Sequence, residues 1–225
     1  TAVGSSALES NTTGDENVAI GYLALDASTT VSDNTAVGTR ALSANTTGVA
    51  NTGIGFDSGK AITTGARNTI VGYQAAEATT TANDNTVVGY YALGANTTGI
   101  ANTAIGSYAL DANTTGRYNT SIGISSLTAN TDGEFNVGLG GYALSNNTTA
   151  DNNTAVGYGT LNANTTGTNN TGVGYYALAA NTTANRNTAV GTSALAANTT
   201  GADNVAIGFD ALNDNTTASE NLAIG

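Results

Sequence analysis

Large apolar side chains recur in this chain at two fixed places of a 17-residue period. Asn stands at every multiple of 17: Asn17, Asn34, Asn51, Asn68, Asn85, Asn102, Asn119, Asn136, Asn153, Asn170, Asn187, Asn204 and Asn221. With that Asn as repeat position 0, position 3 is Val, Ile or Leu in every repeat, as in Val3, Ile20, Val88 and Ile224. Position 8 is Leu except where Gly59 and Ala76 replace it, and position 4 is always Gly, from Gly4 to Gly225. The unit reads N-T-A-V-G-Y-x-A-L-x-A-N-T-T-G-x-D, with no 3.6-residue period anywhere. It predicts two short strands per coil, at positions 0–3 and 8–13. On the second strand, Leu, Ala and Thr (8, 10, 12) face inward, and a polar residue, Asn and Thr (9, 11, 13) face outward. Gly at position 4 marks one corner, where positive φ or a close backbone approach is expected. Gly or Ala at position 14 marks another.

A 17-residue unit cannot bury two large apolar side chains by itself, whereas stacked units share one core. The expected fold is therefore all-β, a parallel β-solenoid with 17-residue coils and about 13 rungs, with the Val/Ile and Leu columns inside. The two coils lacking Leu adjoin, so they mark a contact zone, a bend or simple drift.

Composition narrows the function. The 225 residues include no Cys, His or Pro, which removes thiolate and imidazole metal sites and every His- or Cys-dependent catalytic group. Five basic against 16 acidic residues give a net charge of −11, the wrong balance for nucleic acid or an anionic membrane surface. No apolar run is long enough to span a bilayer. The absence of Pro suits a ladder that needs every backbone N–H. With no initiator Met, residues 1–225 read as one repetitive segment, a window of a longer fibre whose ends continue or stack end to end.

The periodic Asn column reads as a structural ladder, identical amides bonding from rung to rung. A second Asn, at position 11, precedes Thr-Thr in Asn11, Asn45, Asn96, Asn113, Asn147, Asn164, Asn181, Asn198 and Asn215. Each satisfies the N-x-T acceptor pattern, and the expected outward orientation makes these N-glycosylation candidates; the same residues also serve as turn and ladder residues. Aromatic residues at position 5 (Tyr22, Phe56, Tyr73, Tyr90, Tyr158, Tyr175, Phe209) and at position 6 (Tyr91, Tyr108, Tyr142, Tyr176) form a stripe. Beside the small Ala of position 7, the stripe reads as an interchain contact, with sugar stacking as the other use of such rings. Acids near the end of the unit, such as Asp15, Glu16 and Asp33, read as a solvated edge that resists lateral aggregation, not as a Ca²⁺ site. No paired carboxylates in a cleft are recognisable, so no enzyme, metal or cofactor is expected. Ice binding would need two outward Thr per rung at i and i+2; Thr12 and Thr13 are adjacent, which places one of each such pair inward.

The segments N-V-A-I-G (Asn17–Gly21 and Asn204–Gly208) resemble the S-V-A-I-G core of head repeats in YadA-type trimeric autotransporter adhesins. The full unit is similar to repeats of tail-fibre-like and cell-surface proteins that often end in an intramolecular chaperone domain. The resemblance covers the whole chain. It implies a left-handed parallel β-roll, often a homotrimer, in the shaft or head of an extracellular fibre. The adhesin heads use a shorter coil, and the chain shows no chaperone domain, coiled-coil stalk or membrane anchor. The expected function is a structural shaft of a self-assembling extracellular fibre or adhesin at a cell or virion surface. Its partners are its own copies, as a homotrimer or an end-to-end filament, and possible glycans. A phage tail-fibre segment that reaches a receptor is the alternative, and an ice-binding solenoid a third reading.

Overall fold

The computed structural model describes residues 1–225. The protein is an all-β parallel solenoid of about 13 turns, in which fourteen short strands recur every 17 residues. The chain divides into two compact units. Thr1–Thr115 holds β1 (Ala2–Val3), β2 (Val18–Ile20), β3 (Thr35–Val37), β4 (Thr52–Ile54), β5 (Thr69–Val71), β6 (Thr86–Val88) and β7 (Thr103–Ile105). Gly116–Gly225 holds β8 (Thr120–Ile122), β9 (Val137–Leu139), β10 (Thr154–Val156), β11 (Thr171–Val173), β12 (Thr188–Val190), β13 (Val205–Ile207) and β14 (Leu222–Ile224). Within each unit neighbouring strands are parallel and in register with the repeat, so Thr35 lies opposite Thr52, and Thr154 opposite Thr171.

Only positions 1–3 form a strand. The expected second strand at positions 8–13 is instead part of a long turn. Its cause lies in the backbone: positions 6, 8 and 16 adopt left-handed φ coil after coil, as in Arg40 (56°), Leu42 (51°) and Ala50 (56°). An extended segment cannot contain such residues, and a polarity pattern does not reveal them. A left-handed non-Gly residue costs on the order of 1–2 kcal/mol, so burial and hydrogen bonding must over-determine the turn.

They do so through inter-coil hydrogen bonds that continue well beyond the strands. The N–H groups of Thr35, Leu42, Ala44 and Thr46 donate to Asn51, Ser58, Lys60 and Thr63 of the following coil at 2.8–3.1 Å. Those of Gly38 and Arg40 donate backwards to Ile20 and Tyr22, at 2.7 and 2.8 Å. Donors spread around most of the coil leave few places for Pro, which has no N–H to give.

Gly at position 4 meets both expectations for its corner. Its φ lies near 135° in Gly38 and Gly55, and a Cβ on Gly38 would sit 2.3 Å from the Gly55 carbonyl oxygen. No L side chain fits that combination. Position 14 has no comparable φ, and Ala or Val serves there in Ala82, Ala150 and Val31.

The core differs from the sequence reading in more than one column. Leu of position 8 is inside, fully buried in Leu25, Leu42, Leu110 and Leu178. The Val/Ile column of position 3 is outside: Val3, Ile20 and Val88 are 57, 40 and 37 % exposed. The small residue of position 2 points inward instead, as Ala19, Ala36, Ala104 and Ala189. A coil this tight has room opposite Leu for little more than a methyl group. Position 7, expected beside the aromatic stripe, is also core, as in Ala24, Ala41 and Ala177.

The two coils without Leu are repacked coils. Where Gly59 replaces Leu, position 2 of the next coil is Ile70 and position 11 is Ile62, both fully buried. A Cβ on Gly59 would lie 2.9 Å from Ile70 Cδ1 and 3.1 Å from Ile62 Cδ1. Where Ala76 replaces Leu, the next position 2 is the buried Val87. Apolar volume has moved across the coil and the core stays filled.

Candidate functional site

Three kinds of side-chain column surround this core: buried Asn ladders, charged pairs, and an apolar outer face. The position-0 Asn side chains are buried, except for the half-buried Asn221. Within each unit the Oδ1 atom of one such Asn accepts the backbone N–H of the Asn one coil on, at 3.0 Å from Asn34 to Asn17 and 2.9 Å from Asn51 to Asn34. The Nδ2 atom donates to the position-14 carbonyl, as from Asn34 to Gly48 at 3.0 Å. Direct amide-to-amide bonds also occur, from Asn68 to Asn51 and from Asn85 to Asn68.

The position-11 Asn side chains form a second ladder, contrary to their expected outward orientation. Asn45, Asn96, Asn113, Asn147, Asn164, Asn181 and Asn198 are wholly buried, and Asn11 and Asn215 partly so. Asn45 Oδ1 accepts the Gly48 N–H and its Nδ2 donates to the Gly48 carbonyl, both at 2.9 Å, closing the turn. The Gly48 carbonyl thus takes one donor from Asn34 and one from Asn45, using both lone pairs. Amides also bond along this column, from Asn164 to Asn147 and from Asn181 to Asn164 at 2.9 Å. In the folded coil the wholly buried acceptor nitrogens are hydrogen-bonded and closed to a glycosyl donor. The following two Thr residues both lie outside the core, in Thr46 and Thr47 for example, so neither points inward as expected. The first hydroxyl donates to the next coil, as from Thr46 to the Thr63 carbonyl at 3.1 Å.

Charge is arranged by the same period, which the sequence reading missed. Each of the five cations pairs with the acid 17 residues later: Arg40–Asp57, Lys60–Glu77, Arg67–Asp84, Arg117–Glu134 and Arg186–Asp203. Searching for an acid at i+17 from every cation would have revealed it. The paired guanidinium groups hold the Asp84 and Asp203 carboxyls below the usual carboxylate range. Asp57, almost wholly buried, accepts two bonds from Arg40 at 2.7 Å, and Arg40 also lies 5.2 Å over the Phe56 ring. These pairs favour one pairing of coils over a slipped one.

The third column is exposed. In Thr1–Thr115, Phe56 stacks on Tyr73 at 5.2 Å and Tyr73 on Tyr90 at 5.5 Å, while Tyr91 stacks on Tyr108 at 5.9 Å. In Gly116–Gly225, Tyr158 stacks on Tyr175 at 5.8 Å, and Tyr176 meets Tyr175 edge-on at 4.5 Å. Tyr142 meets Tyr158 edge-on at 5.6 Å. Tyr22 and Phe209 are exposed with the rest of the position-5 set. Lost hydration, with neighbouring phenols adding to it, raises the pKa of Tyr91 and Tyr176. A stacked pair at position 16, Tyr118 on Phe135 at 5.1 Å, lies outside the stripe expected from sequence. Along the chain, the outward Val/Ile column of position 3 is separated from the rings of position 5 by the Gly of position 4 alone. The columns at positions 1, 3 and 5 contain no charged residue in any coil. No helix is long and apolar enough to cross a membrane. No protein-family model matches the chain, and comparison with characterised proteins finds none similar in sequence.

Proposed function

We propose that this chain is the structural shaft of an extracellular fibre or adhesin, with a mechanical role and no catalytic one. The observation that carries the reading is the hydrogen bonding between coils. Within each unit, backbone donors at many positions around the coil, the position-0 Asn ladder and a Thr column tie successive coils along the repeat direction, and the second Asn ladder adds to them where Asn fills position 11. Such an element carries load along its stack and resists proteolysis, because no long segment can detach without breaking bonds to both neighbours. The resemblance of the repeat to adhesin heads and tail-fibre-like proteins supports the same reading. Copies of the chain are the partners that a fibre requires.

Immunogold labelling of intact source cells and their virions with antibody to the folded repeat tests the proposal. Gold along thin fibres at the cell surface is the expected result. Label only inside permeabilised cells would overturn it, and label on virion tails would make the shaft part of a tail fibre.

A further inference from the structure

We propose that the outward columns at positions 3 and 5 of Thr1–Thr115 seat a second copy of this chain, laid side by side with the first. The proposal takes its purpose from the fibre reading, but the contact itself stands or falls separately, since a single chain can also form a shaft.

Position 3 lies outside the core in every coil, yet it is Val, Ile or Leu all fourteen times. Position 1 lies on the same strand face and is mostly Thr, so the fold itself accepts a hydroxyl on this surface. Water gives no reason to exclude Thr from position 3, whereas a dry contact does.

Ile54, Val88, Phe56, Tyr73 and Tyr90 are between 37 and 46 % exposed. Summed over the coils of this unit, such aliphatic and aromatic side chains leave on the order of 700 Å² of apolar surface in water, beyond the usual patch on a monomer and close to the ~800 Å² each partner gives to a standard interface.

The columns contain no charged residue in a chain of net charge −11, and the guanidinium that lies over Phe56, of Arg40, is paired with Asp57, so two copies meet here without opposing carboxylates. Acids on the other surfaces discourage association there. A second copy has the same coil spacing, so each ridge of one meets a matching groove of the other along the whole unit. The Phe56–Tyr73–Tyr90 stack already holds its rings in place, which lowers the ordering cost of binding.

Sedimentation equilibrium of the full chain tests this. The wild-type chain is expected to self-associate at micromolar concentration or below. The triple variant Ile54→Thr, Val71→Thr, Val88→Thr keeps strand-forming residues and is expected to weaken association by about a hundredfold or more. Phe56→Ser, Tyr73→Ser, Tyr90→Ser is an independent second variant, safe for the fold because Ser or Thr already fills position 5 at Ser5, Thr39 and Ser107. The control Thr47→Ser, Thr98→Ser on another surface leaves association unchanged. Far-UV circular dichroism identifies any variant that fails to fold. A wild-type chain that stays monomeric to high micromolar concentration overturns the proposal, as does either folded variant associating as tightly as wild type. Oligosaccharide bound by a monomeric chain through the rings would also overturn it and give the face to a sugar.

Discussion

Ser28 stands at position 11, where most coils place Asn, and its buried hydroxyl has no partner. An Asn there could bond the Asn11 amide and the Val31 carbonyl, as its counterparts do in other coils. Ser28→Asn is therefore expected to stabilise the fold by about 1 kcal/mol, read as a raised thermal midpoint. Asp26 is a similar irregularity with a charge. Burial, reinforced by repulsion from Glu9, raises its carboxyl pKa, and its Oδ1 is buried without a partner. A carboxyl raised on folding favours the folded state below its unfolded pKa, and that contribution is lost as pH rises through the folded pKa. Asp26→Asn should thus be more stable than wild type at neutral pH. The advantage should shrink as pH falls into the carboxylate range, and melts across an acid-to-neutral series check both halves.

At the scale of the coil, Gly59 and Ile70 form one packing solution written in two neighbouring coils. Ile70→Ala should leave a cavity and cost about 2–4 kcal/mol, and Gly59→Leu should overpack the site by about 1–3 kcal/mol. Together they move the core towards the common arrangement, so the double variant should recover more than 1 kcal/mol of the summed losses in urea melts. Strict additivity would refute the exchange of volume. This pair also shows what the repeat made legible. Leu at position 8 and Gly at position 4 could be placed from sequence, because buried Leu and left-turning Gly are each demanded by one environment. The Val/Ile column could not. Alternation showed that positions 1 and 3 oppose position 2 but not which side was inside, and constant β-branched residues looked like core. The ladder at position 11 was hidden for a related reason: Asn is polar, yet here its amide replaces backbone partners inside the coil. The left-handed turns at Leu25 and Leu42 leave no trace in a polarity pattern, and with them the presumed second strand disappeared.

For the whole molecule, the coil is the unit of stability. Each coil bonds only its neighbours, so energy adds coil by coil. Deleting the 17 residues 153–169 keeps the period intact and should leave a cooperative melt and β-type circular dichroism. Deleting Thr166 alone leaves one coil of 16 residues whose columns cannot all meet those of both neighbours, and is expected to cost more than the loss of the entire coil. If the short deletion were the milder one, the register argument would fail. The charge pairs at i and i+17 act in the same direction, since a one-residue slip between the two coils that a pair joins separates its partners.

The stacked rings have an optical consequence. Tyr73 lies 5.5 Å from Tyr90, Tyr158 lies 5.8 Å from Tyr175, and the chain contains no Trp to mask them. Identical chromophores held this close in a chiral array share their electronic excitation, so each stack gives an exciton signature in circular dichroism that isolated phenols lack. A slipped coil offsets the transition dipoles and erases it. The protein thus carries an intrinsic, label-free gauge of whether its coils are in step.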